Sequence, residues 1–302
     1  MSAAGVIRRD DGLALRTMRV GVHPEALVIH VGTDVVVRTP ARPDHRDGNV
    51  VDLLTPPAAD QVAARLEGVR RLMEPVGVRD LHLRYELPIH PDGAGAAAGA
   101  DDEVARTAQL VAAGCQVTDL EVLELAVADL PVDAPQPPAD VTIERLNGPD
   151  GDVIDERRWY AASVLDRYAH GEEVTAWRDW DDAWGAWDRE RIAALARANR
   201  AEVWLASRHG MPVASLTMMD DLDGLVVVDR VITHPAHRRR GIARALLGTA
   251  LASLHGASPL ERITIVMPPD APIGEFSRAV GFTPVAAVRD WLRPDGDAPQ
   301  AG

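Results

Sequence analysis

The chain has 302 residues, 46% of them hydrophobic and 26% charged, with a formal net charge of −14, the balance of a soluble globular protein with room for two domains. Such acidity argues against nucleic-acid binding, which needs surplus cations for phosphate contacts, and no apolar run approaches the ~18 residues of a membrane span. One cysteine, Cys115, excludes an intrachain disulfide and a multi-cysteine metal site, and the absence of lysine among the 32 basic residues excludes a Schiff-base lysine and a Walker-type phosphate loop.

The opening residues, MSAAGVIRRDD, lack the hydrophobic segment of a signal peptide, so a cytoplasmic protein is expected. Strands are predicted at Ala26 to Thr39 and Asn49 to Leu54, then a helix from Ala58 to Met73 and a strand from Asp80 to Leu87. The segment GAGAAAG, Gly93 to Gly99, has the outline of a dinucleotide-binding fingerprint. Asp101, Asp102 and Glu103 would crowd a pyrophosphate there, so an Ala/Gly loop is the expectation. Residues 131–139, PVDAPQPPA, lack apolar periodicity and read as a linker between domains at 1–134 and 135–302.

The second domain opens with a strand at Val141 to Arg145, followed by helical stretches at Glu156 to Ala169 and Glu172 to Asn199. Trp177, Trp180, Trp184 and Trp187 share one face of the latter, most simply its core face. Asp179, Asp181 and Asp182 among them are a solvated face or a means of selecting a cationic partner. Strands at Glu202 to Ser207, Pro212 to Met219 and Leu225 to Thr233 form a meander, and a helix runs from Ile242 to Leu254, where Gly248 needs a packing reason. A strand at Arg262 to Met267, a short helix at Ala271 to Val280 and a strand at Pro284 to Leu292 complete the chain.

Between the strand ending at Thr233 and the following helix lies RRRGIA, Arg238 to Ala243. A glycine turn at a helix start presents amides without intrahelical partners at the positive end of the helix dipole, an arrangement suited to a pyrophosphate. Gly241 lets the backbone approach phosphates closely, and Arg239, Arg240 and Arg244 add positive charge. His234 and His237 beside this turn lack metal-site spacing, and no metal is expected. Asp229, on the preceding strand, reads as the partner of Arg230 or another arginine.

The stretch VVDRVITHPAHRRRGIARALL resembles motif A of the GCN5-related N-acetyltransferases (GNATs), with Arg238, Gly241 and Ala243 at its Gln/Arg, Gly and Gly/Ala positions. AVGFTP, Ala279 to Pro284, resembles the Gly-Phe turn that ends the family's motif B helix. The two halves also resemble each other. VVDLLTPPAADQVAARL, from Val50, matches VVDRVITHPAHRRRGIARAL, from Val227, and AAGCQVTDLEVLEL, from Ala112, matches AVGFTPVAAVRDWL, from Ala279. The resemblance implies an α/β (α+β) protein of two acetyltransferase-like domains, each a mixed, mostly antiparallel sheet flanked by helices. The first copy, with Pro56, Pro57 and Asp60 where the phosphate turn should be, is expected not to bind cofactor.

What the resemblance implies about function is transfer of an acetyl group from acetyl-CoA to a primary amine of a small molecule or peptide, by a monomer or homodimer. It carries over Val231, Ile232 and Thr233 to the pantetheine, Arg238, Arg239, Arg240, Gly241, Ile242, Ala243 and Arg244 to the pyrophosphate region, and Asp229 to the base, with Asp220, Asp221 and Asp223 at the strand turn as alternatives. It also implies that the tryptophan-bearing helix lines the acceptor pocket. Ser277 stands where the family often has a tyrosine that protonates the departing thiolate, and Asp270 replaces a common asparagine. That departure leaves a non-catalytic acyl-CoA-binding or regulatory protein as the alternative.

Overall fold

The computed structural model describes residues 11–87, 100–148, 156–169, 183–255 and 259–295. Gly93 to Gly99, Trp177, Trp180, Asp179, Asp181 and Asp182 lie outside them, as does the side chain of Trp184. In chain order the elements are α1 Leu13–Val20, β1 Leu27–Val31, β2 Asp34–Arg38, β3 Val50–Leu53, α2 Val62–Met73, β4 Leu81–Leu87, α3 Ala100–Ala112 and β5 Gln116–Leu125. There follow β6 Val141–Arg145, α4 Glu156–Ala169, α5 Ala183–Arg197, β7 Ala201–Arg208, β8 Met211–Asp220, β9 Leu225–Thr233, α6 Ile242–Ala252, β10 Arg262–Met267, α7 Pro272–Ala279 and β11 Thr283–Arg293.

The chain divides into two compact units, the first comprising Met1–Val122, Met267–Asp270 and Pro284–Gly302 and the second Leu123–Val266 and Ala271–Thr283. A cut at 134/135 therefore differs from the compact units in three places. Residues 123–134 group with the second unit, and Met267–Asp270 and, from Pro284 onward, β11 group with the first. The reason for the latter is burial: β11 pairs antiparallel with β4 from Ala287↔Leu87 to Arg293↔Leu81, and Trp291 is fully buried in the first unit's core.

In the first unit the strand order is β1-β2-β3-β4-β11-β5. The stretch expected as one strand, Ala26 to Thr39, is instead a hairpin, turning at Gly32 with φ +63°. β2 and β3 read as continuous apolar runs because both faces are covered, and β3 runs parallel to β4. A parallel pair requires a crossover, and α2 supplies it. The α2 residues Val62, Leu66, Val69 and Met73 recur at helical spacing and bury against Val51, Leu53, Leu83 and Trp291. Asp52, fully buried, accepts from Arg19 Nη1 and Arg84 Nε, both at 2.8 Å, so charge inside this core is paired.

α1 was not legible as a periodic segment. Its start is held by Glu86, whose carboxylate accepts from Ala14 N at 3.1 Å. Gly12, at φ +81°, is required there, since a Cβ would lie 2.3 Å from Glu86 Oε2.

In the second unit the order is β10-β9-β8-β7-β6, antiparallel throughout except for the β9–β10 pair, which α6 connects. α6 buries Ile242, Ala245, Leu246, Leu247, Ala250 and Leu251. Gly248 has the packing reason its sequence position demanded: a Cβ there would lie 2.4 Å from Pro135 Cγ, because the Pro-rich segment lies across the helix. His255 Nε2 bonds Pro131 O at 2.7 Å and holds the same segment.

Candidate active site in the second unit

β9 is paired with β10 only from Leu225↔Arg262 to Val228↔Ile265. Beyond Val228 it continues alone on that side to Thr233, while its other edge stays paired with β8 through Ala214↔Thr233. The β10 side of Asp229 to Thr233 thus offers backbone groups outside a ladder, the expected property of Val231, Ile232 and Thr233. Ile232 is 8% exposed, with its side chain on the pocket side of the sheet.

The turn after β9 is built in three steps. His234 Nδ1 accepts from Ala236 N at 3.2 Å and starts a 3₁₀ turn, Pro235–His237. Arg238 is extended, and its Nε donates to Thr233 O at 3.1 Å, so this guanidinium braces the loop. Arg239 (φ +61°) and Gly241 (φ +77°) then adopt left-handed conformations on either side of Arg240, a geometry that turns successive amides toward one concave side.

α6 has no side-chain cap, and the amides of Ile242, Ala243 and Arg244 open the helix, where no intrahelical acceptor exists. A Cβ on Gly241 would meet nothing within 4 Å. The cradle is uncapped and open, as a diphosphate requires. Arg239, Arg240 and Arg244 are exposed around it, whereas Ile242 is 2% exposed and anchors the helix in the core. The field is positive. Burial together with His234, Arg208 and Arg240 holds His237 below the usual imidazole range. Among the described residues no group of three or more His, Cys, Asp or Glu is placed to hold a metal.

On the side of the sheet facing α4 and α5 a shallow pocket of about 40 Å³ opens. The β8–β9 register sets its floor, with Thr217 opposite Arg230 and Ser215 opposite Ile232. Trp159 of α4 and Asp188, Arg189 and Ile192 of α5 form the walls. Trp187, the described member of the tryptophan series, is 5% exposed, with the Arg191 guanidinium 5.6 Å from its ring centre.

Asp229 sits at a feature that periodicity could not show. The β8–β9 register passes from Thr217↔Arg230 to Met218↔Val228, so Asp229 is the extra residue of a β-bulge. A bulge bends its strand and re-aims a side chain that regular alternation would send to the other face. The Asp229 carboxylate thereby comes beside Arg230, with Oδ2 3.5 Å from Arg230 Nε and 3.9 Å from Arg191 Nη2. Arginines flank Asp229, yet its Oδ2 is sealed from solvent and, among the described residues, has no hydrogen-bond partner.

Asp188, which sequence reasoning did not single out, lies behind these arginines. It accepts from Arg230 Nη1 at 2.7 Å and from Arg191 Nη2 at 2.8 Å. Burial alone would raise its pKa, but Arg191 and Arg230 outweigh it and hold the carboxyl below its ordinary range. No local signal could have found this group, because α5 and β9 meet only in the fold.

Ser277 is 1% exposed in α7, and its Oγ has no hydrogen-bond partner among the described residues. The tyrosines described with side chains lie elsewhere, Tyr85 in the first unit's core and Tyr160 on α4 beneath Arg189.

In the first unit the corresponding turn, between β3 and α2, is closed. Arg106 of α3 donates from Nε to Pro57 O and pairs with Asp102, and Asp102 Oδ1 accepts from Ala59 N at 3.5 Å. A carboxylate of the protein thus takes the place of an incoming anion.

Residues 172–282 match the acetyltransferase (GNAT) family. Comparison with curated proteins returns no match. Among solved structures, a GCN5-related N-acetyltransferase from Kribbella flavida superposes with a TM-score of 0.59 at 18% identity, covering 97% of this chain and 98% of that one. A tandem GNAT protein from the clavulanic acid biosynthesis pathway gives 0.55 at 16% identity, covering 94% and 89%. A functionally unknown conserved protein from Staphylococcus epidermidis gives 0.61 at 12% identity, covering 90% and 95%. At these identities the structural likeness establishes the fold: a tandem arrangement of GNAT type.

Proposed function

We propose that this protein, with a GNAT-family domain at residues 172–282, is an acetyl-CoA-dependent N-acetyltransferase acting on a primary amine of a small molecule or peptide. The observation that carries this reading is the uncapped turn at Gly241, placed directly after a strand that leaves its parallel partner at Val228. The amides at Gly241 to Arg244 would hold the pyrophosphate, with Arg239, Arg240 and Arg244 supplying counter-charge. Val231 to Thr233 would hold the pantetheine through the main chain. Arg238 acts on the turn itself, through its bond to Thr233 O.

Acetyl-CoA supplies an activated acyl group as a thioester. The acceptor nitrogen forms a bond to the acyl carbon, the carbon–sulfur bond breaks, and the ammonium proton passes to Asp229, directly or through a water. The thiolate is reprotonated from solvent, since the Ser277 hydroxyl is sealed at 1% exposure. The pocket lined by Trp159, Asp188, Ile192, Ser215, Thr217 and Arg230 is the acceptor's place in this reading. The first unit, its turn closed by Asp102 and Arg106, serves as a non-binding partner domain.

A second reading, an acyl-CoA-binding or regulatory protein without turnover, is favoured by one observation: α7 carries no tyrosine, and Ser277, which stands in its place, is buried. Release of thiol from acetyl-CoA, followed across a panel of small-molecule and peptide amines, decides between the two. Amine-dependent release is expected; acetyl-CoA binding by calorimetry with no release for any amine selects the second reading.

A further inference from the structure

Two carboxylates, Asp188 and Asp229, compete here for two guanidiniums, Arg191 and Arg230. Asp188 has won. Its Oδ1 accepts from Arg191 Nη2 at 2.8 Å and from Arg191 Nε at 3.2 Å. Arg230 forks onto it, Nη1 to Oδ2 at 2.7 Å and Nη2 to Oδ1 at 3.2 Å. Planar guanidiniums engaged this way on one carboxylate are fixed in orientation. Asp229 Oδ2 receives only the leftover edges, at 3.5 and 3.9 Å, beyond the 2.7–2.9 Å of a charge-assisted bond. It is buried and, among the described residues, has no hydrogen-bond partner, although the Asp229 side chain as a whole is 31% exposed.

A buried carboxylate oxygen left without a donor beside two arginines is costly, so the arrangement persists only where something holds the arginines back. Among the described residues, the charged groups within ion-pair distance of Asp229 are Arg191 of α5 and Arg230 of β9, with Asp188 behind both. The other residues of this wall from α4 and β8 are uncharged, Trp159, Ala162, Ser215 and Thr217.

We propose that Asp188 is a positioning residue that keeps Arg191 and Arg230 from closing onto Asp229, so that the Asp229 carboxylate, its side chain 31% exposed, is left unneutralised to accept the acceptor's proton. The inference rests on Asp229 being the base of the proposed transfer. Asp188 itself is saturated by its four donor contacts and takes no part in the proton transfer.

The test is Asp188→Asn in the full-length protein. With the charge removed, both guanidiniums are expected to turn to the remaining carboxylate, and a crystal structure of the variant should show Arg230 or Arg191 within hydrogen-bond distance of Asp229. Turnover of the amine selected by the panel should fall about tenfold or more, and the acid limb of kcat/KM should move to lower pH. Acetyl-CoA affinity should not change. Adding Arg191→Met to Asp188→Asn should recover much of the rate, which a merely structural role would not do. Arginines that stay in place in the variant, or a rate loss with an unmoved pH profile and no recovery, would overturn the inference. A parallel Asp229→Asn variant separates the two levels: full rate at every pH removes the base assignment and the positioning role with it. If Asp229→Asn loses activity while Asp188→Asn behaves as wild type, the positioning role alone falls.

Discussion

Two strand–turn–helix crossovers in this molecule share a connection and differ in the turn. β3–α2–β4 and β9–α6–β10 each join two parallel strands through a helix, and both enter the turn from a strand that begins Val-Val-Asp in the aligned segments. In the second unit the turn has left-handed residues at 239 and 241, an uncapped helix start and open space where a glycine Cβ would point. In the first, Pro56 and Pro57 remove two donors, and Asp102 and Arg106 of α3 close over Ala59 and Pro57. A duplicated crossover keeps its core because parallel pairing and apolar burial require it. The anion site is separable, since it depends on a few amides whose demand can be met from within the protein.

The comparison breaks most directly at Gly241. Gly241→Val puts a branched side chain into the open cradle and forces a φ that β-branched residues avoid. Acetyl-CoA affinity by calorimetry should fall at least about a hundredfold, equivalent to about 2.8 kcal/mol; unchanged affinity would place the diphosphate elsewhere. Next comes the closed turn. Arg106→Ala strips the buried Pro57 carbonyl of its donor, while Glu103 keeps Tyr85 and Arg289, and should cost about 1–3 kcal/mol in urea unfolding. With Asp102→Ala added, binding should stay at one acetyl-CoA per chain, because the prolines still lack amides. A second equivalent would show that the closure alone, and not the prolines, silences this unit.

A smaller effect is expected where the linker crosses α6. Gly248→Ala gains about 1 kcal/mol of helix propensity but drives a Cβ into Pro135 at 2.4 Å. Overpacking of about 1–3 kcal/mol should leave a net loss near 1 kcal/mol. A more stable variant would mean that the segment lifts away easily. The smallest change belongs to Ser277→Ala. Removing a sealed hydroxyl with no partner should alter stability by less than about 1 kcal/mol or raise it slightly. Its turnover should match wild type, and a tenfold loss would return the hydroxyl to the mechanism.

The parts legible in the sequence were those written in consecutive residues. Gly241 and its arginines, the apolar run of β9, the spacing of Val62, Leu66, Val69 and Met73 on α2, and the need for a packing reason at Gly248 all depend on neighbours in the chain. α1 escaped because its buried side includes Arg16, Thr17 and Arg19, whose partners lie outside its own stretch. The course of β11 was visible as a strand, but its place beside β4 was not, since Trp291 finds Tyr85 at 4.9 Å only once the first unit's core exists.

At the site the division is the same. Sequence alone determined that a positive, glycine-bearing turn opens a helix after an apolar strand, because backbone conformation at a turn is a local property. That Asp229 comes beside Arg230 and Arg191 was decided by a bulge, which is a mismatch of register between two strands and has no meaning for either alone. That its oxygen lacks a donor was decided by Asp188, 42 residues from Arg230 and bonded to it only when α5 packs on the sheet. Hydrogen bonds of that kind form across packed surfaces, so the residues that share them carry no mark in the chain until folding brings them together.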